Sequence, residues 1–250
     1  MFKGFYNLTS AMLTHQQDLN VIGNNLVNIS TPGYKQSKYT ATTFDDVLYQ
    51  RVGNKDMQGS PIGRQSYIRA ASDIVVDHRQ GTFEPTGVPL DFAIQGEGFF
   101  AIEQADGGRA YIRAGGFSLD EEGYLCLPGY GRVLDPENRP IYLGTDRIHG
   151  KGDNIIYYED DTPIAQLGVF RFENTEELEP NEKGLFVGGG EPEAIPDPVV
   201  HNGYLERANT DVAKQMADMI ATERAFQSAA QISKMYDQLM SKAANELGRL

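Results

Sequence analysis

The chain has 250 residues, 40% hydrophobic and 10% aromatic, with a formal net charge of −13. That length supports one large domain or two small ones, and the acidic balance opposes binding to phosphate backbones, so no nucleic acid is expected as a partner. A single cysteine, Cys126, excludes an intrachain disulfide, and the absence of an apolar window of about 18 residues excludes a helical span, so no direct membrane insertion is expected.

The first stretch carries the strongest periodicity. Phe5, Leu8, Met12, Leu19, Ile22, Leu26 and Ile29 keep the alternating three-then-four step of a heptad seam, with His15 in the one polar slot. A helix is expected to about residue 30, ended by Ser30-Thr31-Pro32-Gly33-Tyr34. Proline lacks an amide hydrogen and disfavours helix before it, and glycine permits a positive φ. The amides of Asn24, Asn25 and Asn28 near that end either satisfy orphan carbonyls or reach neighbouring chains in a packed assembly. Before Met1-Phe2-Lys3-Gly4-Phe5-Tyr6 runs into this helix there is no apolar core with a cleavage site, so export by a standard cleaved signal is not expected.

Residues 35–80 read as an extended connector or hairpin, with apolar islands at Tyr39, Phe44 and Val47–Tyr49; Gly53, Gly59, Pro61 and Gly63 are expected to break any regular element. Residues 81–204 read as β, which the 27 glycines of the chain suit. Leu90–Ile94 alternates, Gly98–Ile102 opens a strand, and Asp106-Gly107-Gly108 turns it back into Ala110–Arg113. Gly115–Leu119 and Gly123–Leu127 bracket an acidic turn, and further strands are expected at 155–158, 164–172 and 184–187. Short strands at this spacing suggest an antiparallel barrel or sandwich. Glu191 to Pro198, with three prolines, reads as a linker.

From Asn209 to Leu247 there is neither glycine nor proline. Asn209, Thr210 or Asp211 can cap a long helix, whose apolar face includes Val212, Met216, Met219, Ile220, Phe226, Tyr236 and Met240. That face is wider than one partner helix covers. The fold class is therefore α+β: long terminal helices forming a coiled coil (1–34 and 205–250), joined through a connector (35–80) to a central all-β domain (81–204).

No chemistry stands out. The four histidines, His15, His78, His149 and His201, have no ligand spacing, and Gly96-Glu97-Gly98 does not open a helix. The acidic clusters at 45–46, 120–122 and 159–161 lie beside turn residues, where solvated charge is the ordinary role. Cys126, between Leu125 and Leu127, reads as a small buried hydrophobe. No catalytic residue, metal site or cofactor is expected.

Three stretches resemble one family. Gly23-Asn24-Asn25-Leu26-Val27-Asn28-Ile29-Ser30-Thr31-Pro32-Gly33-Tyr34-Lys35 resembles the N-terminal signature of bacterial flagellar rod and hook proteins. Leu90–Phe100, Tyr111–Phe117 and Gly123–Leu125 are similar to the core motif of the rod members, and Gly203–Asp211 with Met219–Phe226 to the C-terminal signature. Val27, Ala208-Asn209-Thr210 and Glu223 depart from the usual residues without removing a heptad position. Phe44–Gln50 is similar to the distal rod type and Asp218–Thr222 to the proximal type.

The resemblance implies a non-catalytic structural subunit of the flagellar basal-body rod. Its terminal helices would assemble it into a helical tube that transmits torque from motor to hook, with the β domain outside. The implied partners are copies of itself as a homo-oligomer, other rod and hook subunits, and the flagellar type III export apparatus, which needs no cleaved signal. The expected assembly interface is Leu8, Met12, Leu19, Ile22, Asn24, Asn25, Leu26, Asn28, Ile29, Thr31, Pro32, Gly33 and Tyr34 from the first helix and its turn. From the chain's other end it takes Asn209, Met219, Ile220, Arg224, Phe226, Tyr236 and Met240. The alternative is a secreted, multimerised β module that binds or hydrolyses an extracellular glycan. The acidic turns and tyrosine-rich strands motivate it, and the missing catalytic constellation weighs against it.

Overall fold

The computed structural model describes residues 2–43, 47–51, 60–65, 69–104, 107–175, 178–180, 184–188 and 190–247. Phe44–Asp46, Gly53, Gly59 and Asp106, singled out above, lie outside them. The chain is α+β, with a helix at each end and antiparallel strands between. It divides into two compact units: Met1–Leu26, Ser37–Val75 and Asp211–Leu250 make one, and Val27–Gln36 with Val76–Thr210 the other.

The first unit holds α1 (Phe2–Val27), β1 (Ser37–Thr43), β2 (Val47–Arg51), β3 (Ser60–Gln65), β4 (Arg69–Val76) and α2 (Val212–Leu247), except that Val27 and Val76 count with the second unit. Helix α1 ends at Val27, earlier than expected, because Thr31 and Tyr34 donate to the carbonyls of Asn28 and Thr31 and turn the chain away. Helix α2 begins behind Asp211, whose carboxylate accepts the Lys214 amide (3.2 Å) and whose carbonyl accepts that of Gln215 (2.9 Å), an ordinary N-cap. Its 36 residues span about 54 Å. No described helix is long and apolar enough to cross a membrane.

Residues 35–80 are more regular than the glycines and proline suggest. Strand β1 pairs with β4, and β2 with β3 in an antiparallel ribbon. Pro61 and Gly63 sit inside β3, and the register shifts opposite them, between Tyr49 and Gln50. A two-stranded ribbon with a bulge has free edges on which a missing N–H breaks no ladder.

The second unit holds β5 (Phe83–Pro85), β6 (Phe92–Gln95), β7 (Phe99–Glu103), β8 (Arg109–Ile112), β9 (Ser118–Leu119), β10 (Leu125–Leu127) and β11 (Gly131–Val133). It continues with β12 (Ile148–Gly150), β13 (Ile155–Tyr158), β14 (Pro163–Gln166), β15 (Val169–Arg171) and β16 (Leu178–Pro180). The last four strands are β17 (Phe186–Gly188), β18 (Glu193–Ala194), β19 (Val199–Asn202) and β20 (Tyr204–Glu206). Among the described residues the main sheet runs β16-β17-β8-β7-β11-β10-β9, with β15 and β18 branching from β7. Among those residues its path does not return to its start, so of the expected barrel or sandwich no closed barrel forms.

Strand β7 is the centre of this sheet. Phe100 and Ile102 face a core with Phe92, Ile94, Leu125 and Leu143, whereas Phe99 and Ala101 face a second cluster with Tyr111, Phe170, Phe172 and Phe186. The sheet is thus covered on both faces, each fully buried large side chain contributing roughly 1.5–3 kcal/mol. Strand β6 is buried the same way: Phe92, Ala93 and Ile94 are all within 2% exposure, so Leu90–Ile94 does not alternate inside and outside.

Three further expectations are corrected. The run 164–172 is two strands, parted at Gly168, where a Cβ would meet the Leu134 carbonyl oxygen at 2.6 Å. The stretch from Glu191 to Pro198 contains β18, paired to β15 through Ala194 and Phe170. Cys126 is half-buried, on the opposite face of β10 from the buried Leu125 and Leu127.

Candidate assembly interface

Three contacts set α1 against α2. The Gly4 Cα approaches Tyr236 so closely that a Cβ there would lie 2.7 Å from the tyrosine oxygen. Thr222 donates its hydroxyl to the Asp18 carboxylate (3.1 Å). Asn25 donates to the Gln215 side-chain oxygen (3.3 Å). As α1 advances the α2 partner recedes, so the helices run antiparallel.

Asn25 is also tied to β1. Its Nδ2 donates to the Ser37 carbonyl (2.7 Å) and its Oδ1 accepts the Ser37 amide (2.9 Å). Asn25 and Gln215 are 1% and 2% exposed, so both amides are engaged out of water, where an unmade hydrogen bond is costly. The most buried residues of α1 are Thr14, Val21, Ile22 and Asn25. The face turned inward is therefore small and polar in part, at Thr14 and Asn25, whereas the seam in the sequence pattern is apolar except at His15.

Other large apolar side chains of the two helices are left outside. Val27 is 82% exposed, Ile220 52% and Leu239 64%; Phe5, Leu13, Val212, Met216, Ile232, Met235 and Met240 are exposed as well. On α2 the inward stripe runs through Gln215, Thr222, Ala229 and Tyr236. At 100° per residue Met216 and Ile220 lie to one side of that stripe, and Ile232 and Leu239 to the other.

Within the second unit an ionic hub forms around one buried carboxylate. Glu206, 2% exposed, accepts Lys35 Nζ (2.7 Å) and the Gly81 amide (2.7 Å) on one carboxylate oxygen and Arg113 Nε (2.5 Å) on the other. Two cations face one carboxylate. The excess positive charge is met by backbone carbonyls: Arg79 for Lys35 (2.9 Å), and Gly98, Ile94 and Gly96 for Arg113 (2.5, 2.8 and 2.6 Å).

Burial alone would raise the Glu206 carboxyl's pKa. The Arg113 and Lys35 charges and the hydrogen bonds they donate outweigh it and hold the pKa below its ordinary value. Burial pulls Lys35 down, with Glu206 opposing. Beside the hub, Asn209 accepts the Gln36 amide (2.7 Å) and donates to the carbonyls of Asp77 (2.7 Å) and Arg79 (2.9 Å). The three passages of chain at 35–36, 77–81 and 206–209 are thereby cross-linked to one another.

The turn at residues 31–34 completes the arrangement. Pro32 precedes Gly33, which has φ +70°, and Tyr34 donates to the Thr31 carbonyl, the geometry of a type II turn. The Gly33 amide donates to the Glu206 carbonyl (2.7 Å), and a Cβ on Gly33 would lie 2.4 Å from the Ala114 nitrogen. Glycine is needed here twice, for its φ and for its missing side chain.

Of the residues expected at an interface, Ile22, Asn25 and Gly33 are buried inside the chain. Leu8, Met12, Leu19, Leu26, Asn28, Ile29, Tyr34, Asn209, Met219, Phe226 and Tyr236 are half-buried, and Asn24, Thr31, Pro32, Ile220, Arg224 and Met240 exposed. Sequence reasoning gave no role to Asp18, Lys35, Arg113, Glu206, Gln215 and Thr222. Four of these, Lys35, Arg113, Glu206 and Thr222, lie in the signature stretches, which is the one signal that could have found them.

The arrangement defines a class: a β body inserted between two terminal helices that meet across nearly the full length of the chain. Comparison with known proteins gives the family. Residues 5–35 match the family described as flagella basal body rod protein, residues 93–151 the flagellar hook protein FlgE/F/G D1 domain, and residues 201–247 the flagellar basal body rod FlgEFG protein C-terminal region. The chain is 31% identical to flagellar basal-body rod protein FlgG of Bacillus subtilis (strain 168), over 98% of this chain and 99% of that one. It is 32% identical to FlgG of Agrobacterium fabrum, over 95% and 97%, and 26% identical to flagellar basal-body rod protein FlgF of Caulobacter vibrioides, over the whole of both. The chain belongs to the flagellar basal-body rod protein family, which makes it a structural component of the flagellar basal body.

Proposed function

We propose that this chain is a self-assembling rod subunit, in which 1–34 and 205–250 form a coiled-coil core, 35–80 a connector and 81–204 a β domain. The helices pack against copies of the chain, and against other rod and hook subunits, into a helical tube that carries torque from motor to hook. Delivery is through the flagellar type III export apparatus. The observation that carries the reading is the apolar surface of α2 on both sides of its inward stripe: Met216, Ile220, Ile232, Met235 and Leu239 are all exposed. A stem with that much uncovered apolar surface favours association. The proposed interface comprises those residues with the ones expected from sequence, Ile22, Asn25, Gly33 and Asn209 acting indirectly by shaping the stem from within.

Sedimentation of the full-length chain beside Ile220→Glu tests it. The parent is expected to form large, concentration-dependent species, and the variant to stay monomeric with unchanged thermal stability. Assembly of the variant to the same extent as the parent would remove Ile220 and its flank from the interface.

A further inference from the structure

The charge of the chain is not shared between its units. The segments of the first unit carry 11 Lys and Arg against 10 Asp and Glu, and those of the second 11 against 25. The whole excess of −13 therefore sits on the β unit, and the helix unit is close to neutral.

The cations of the β unit are also largely spent within it. Lys35 and Arg113 are buried on Glu206, Arg132 bridges Asp120 and Glu122, and Arg139 bridges Asp135 and Glu137. Lys151, Arg171, Arg79 and Arg207 pair with Asp161, Glu193, Asp77 and Glu84. Exposed carboxylates outside those pairs, such as Glu97, Glu121, Glu159 and Glu191, are left to set the sign of its outer surface.

We infer that the β unit acts as an electrostatic brake on self-association: copies drawn together by their neutral, apolar helices must bring like-charged β units close, and salt releases the brake. The inference rests on the assembly reading above and adds its regulation. The brake acts through space, over the screening length, whereas burial of Met216, Ile220 and Leu239 acts at contact. The two parts of the molecule therefore respond oppositely to ionic strength. Raising it leaves the apolar attraction in place and removes the repulsion.

The experiment is sedimentation of the full chain in NaCl from about 0.01 M to about 1 M, over which the screening length falls from roughly 30 Å to 3 Å. It is run beside a variant carrying Glu97→Gln, Glu121→Gln, Glu159→Gln and Glu191→Gln. The association constant of the parent is expected to rise by about tenfold or more across the series, and that of the variant to start higher and rise less, because fewer like charges remain to be screened. Association that is flat or falls with salt, or a variant that follows the parent, overturns the brake and leaves the assembly reading standing. Absence of association in both proteins at every salt concentration overturns both.

Discussion

The hub around Glu206 and the stem of α1 and α2 solve opposite problems. At the hub, charged side chains are taken out of water and every one is answered inside the chain: a carboxylate by two cations, the surplus cation by carbonyls. In the stem the polar pairs Asn25 with Gln215 and Asp18 with Thr222 are answered and Val21, Ile22 and Ala229 are buried, while Ile220 and Leu239 stand in water. Burial that is complete within one copy marks a region whose work is to hold the subunit's own shape. Burial that covers only one stripe of a helix marks a surface left open.

The contrast can be broken most severely at Glu206. Glu206→Ala strands Lys35 and Arg113 without their counter-charge, and a loss of about 3–5 kcal/mol is expected in urea unfolding followed through the tyrosines of the β unit. Acid should imitate it. The folded carboxyl's pKa lies below its unfolded value, so its contribution is full above the ordinary carboxylate range and drains away as pH falls through the lowered value. The acid limb of the stability curve should therefore flatten in Glu206→Gln.

Next in size is Gly33→Ala, which forces a side chain into the Ala114 backbone at φ +70°, at a cost of about 2 kcal/mol or more in the same unfolding measurement. Asn25→Leu should cost about 1–3 kcal/mol by leaving Gln215 unsatisfied, whereas Asn25→Leu with Gln215→Leu should recover most of the Gln215 part, a coupling that a double-mutant cycle measures directly. Smallest is Ile220→Glu, expected within about 0.5 kcal/mol of the parent in monomer stability. A large destabilisation there would mean that Ile220 serves the single copy, and the contrast between hub and stem would fail.

Much of this was legible in the residues. Phe5 to Leu26 announced a helix, the absence of glycine and proline after Asn209 a second, and Thr31-Pro32-Gly33-Tyr34 the turn between helix and body. What was read amiss in α1 was which way the helix faces. A hydrophobic pattern sums every surface a side chain will ever cover, and in one copy the buried positions are those nearest α2, so Thr14 and Asn25 go inside while Phe5 and Leu13 stay outside. The hub was illegible for another reason. Lys35, Arg113 and Glu206 are brought together by the topology of β8, β20 and the turn, and no local spacing encodes such a pairing. Pro61 and Gly63 misled because breakers weaken a central strand but are tolerated on the free edge of a ribbon.

The connections between the two ends of the chain have a further consequence, in time. Lys35 and Glu206 are 171 residues apart, Asn25 and Gln215 190, and Asp18 and Thr222 204. Contacts of such span close late, because a long loop must be gathered before any of them is rewarded. However early α1 is made or delivered, its contacts with α2 wait until the last stretch of the polypeptide arrives. The beginning of this molecule is finished by its end.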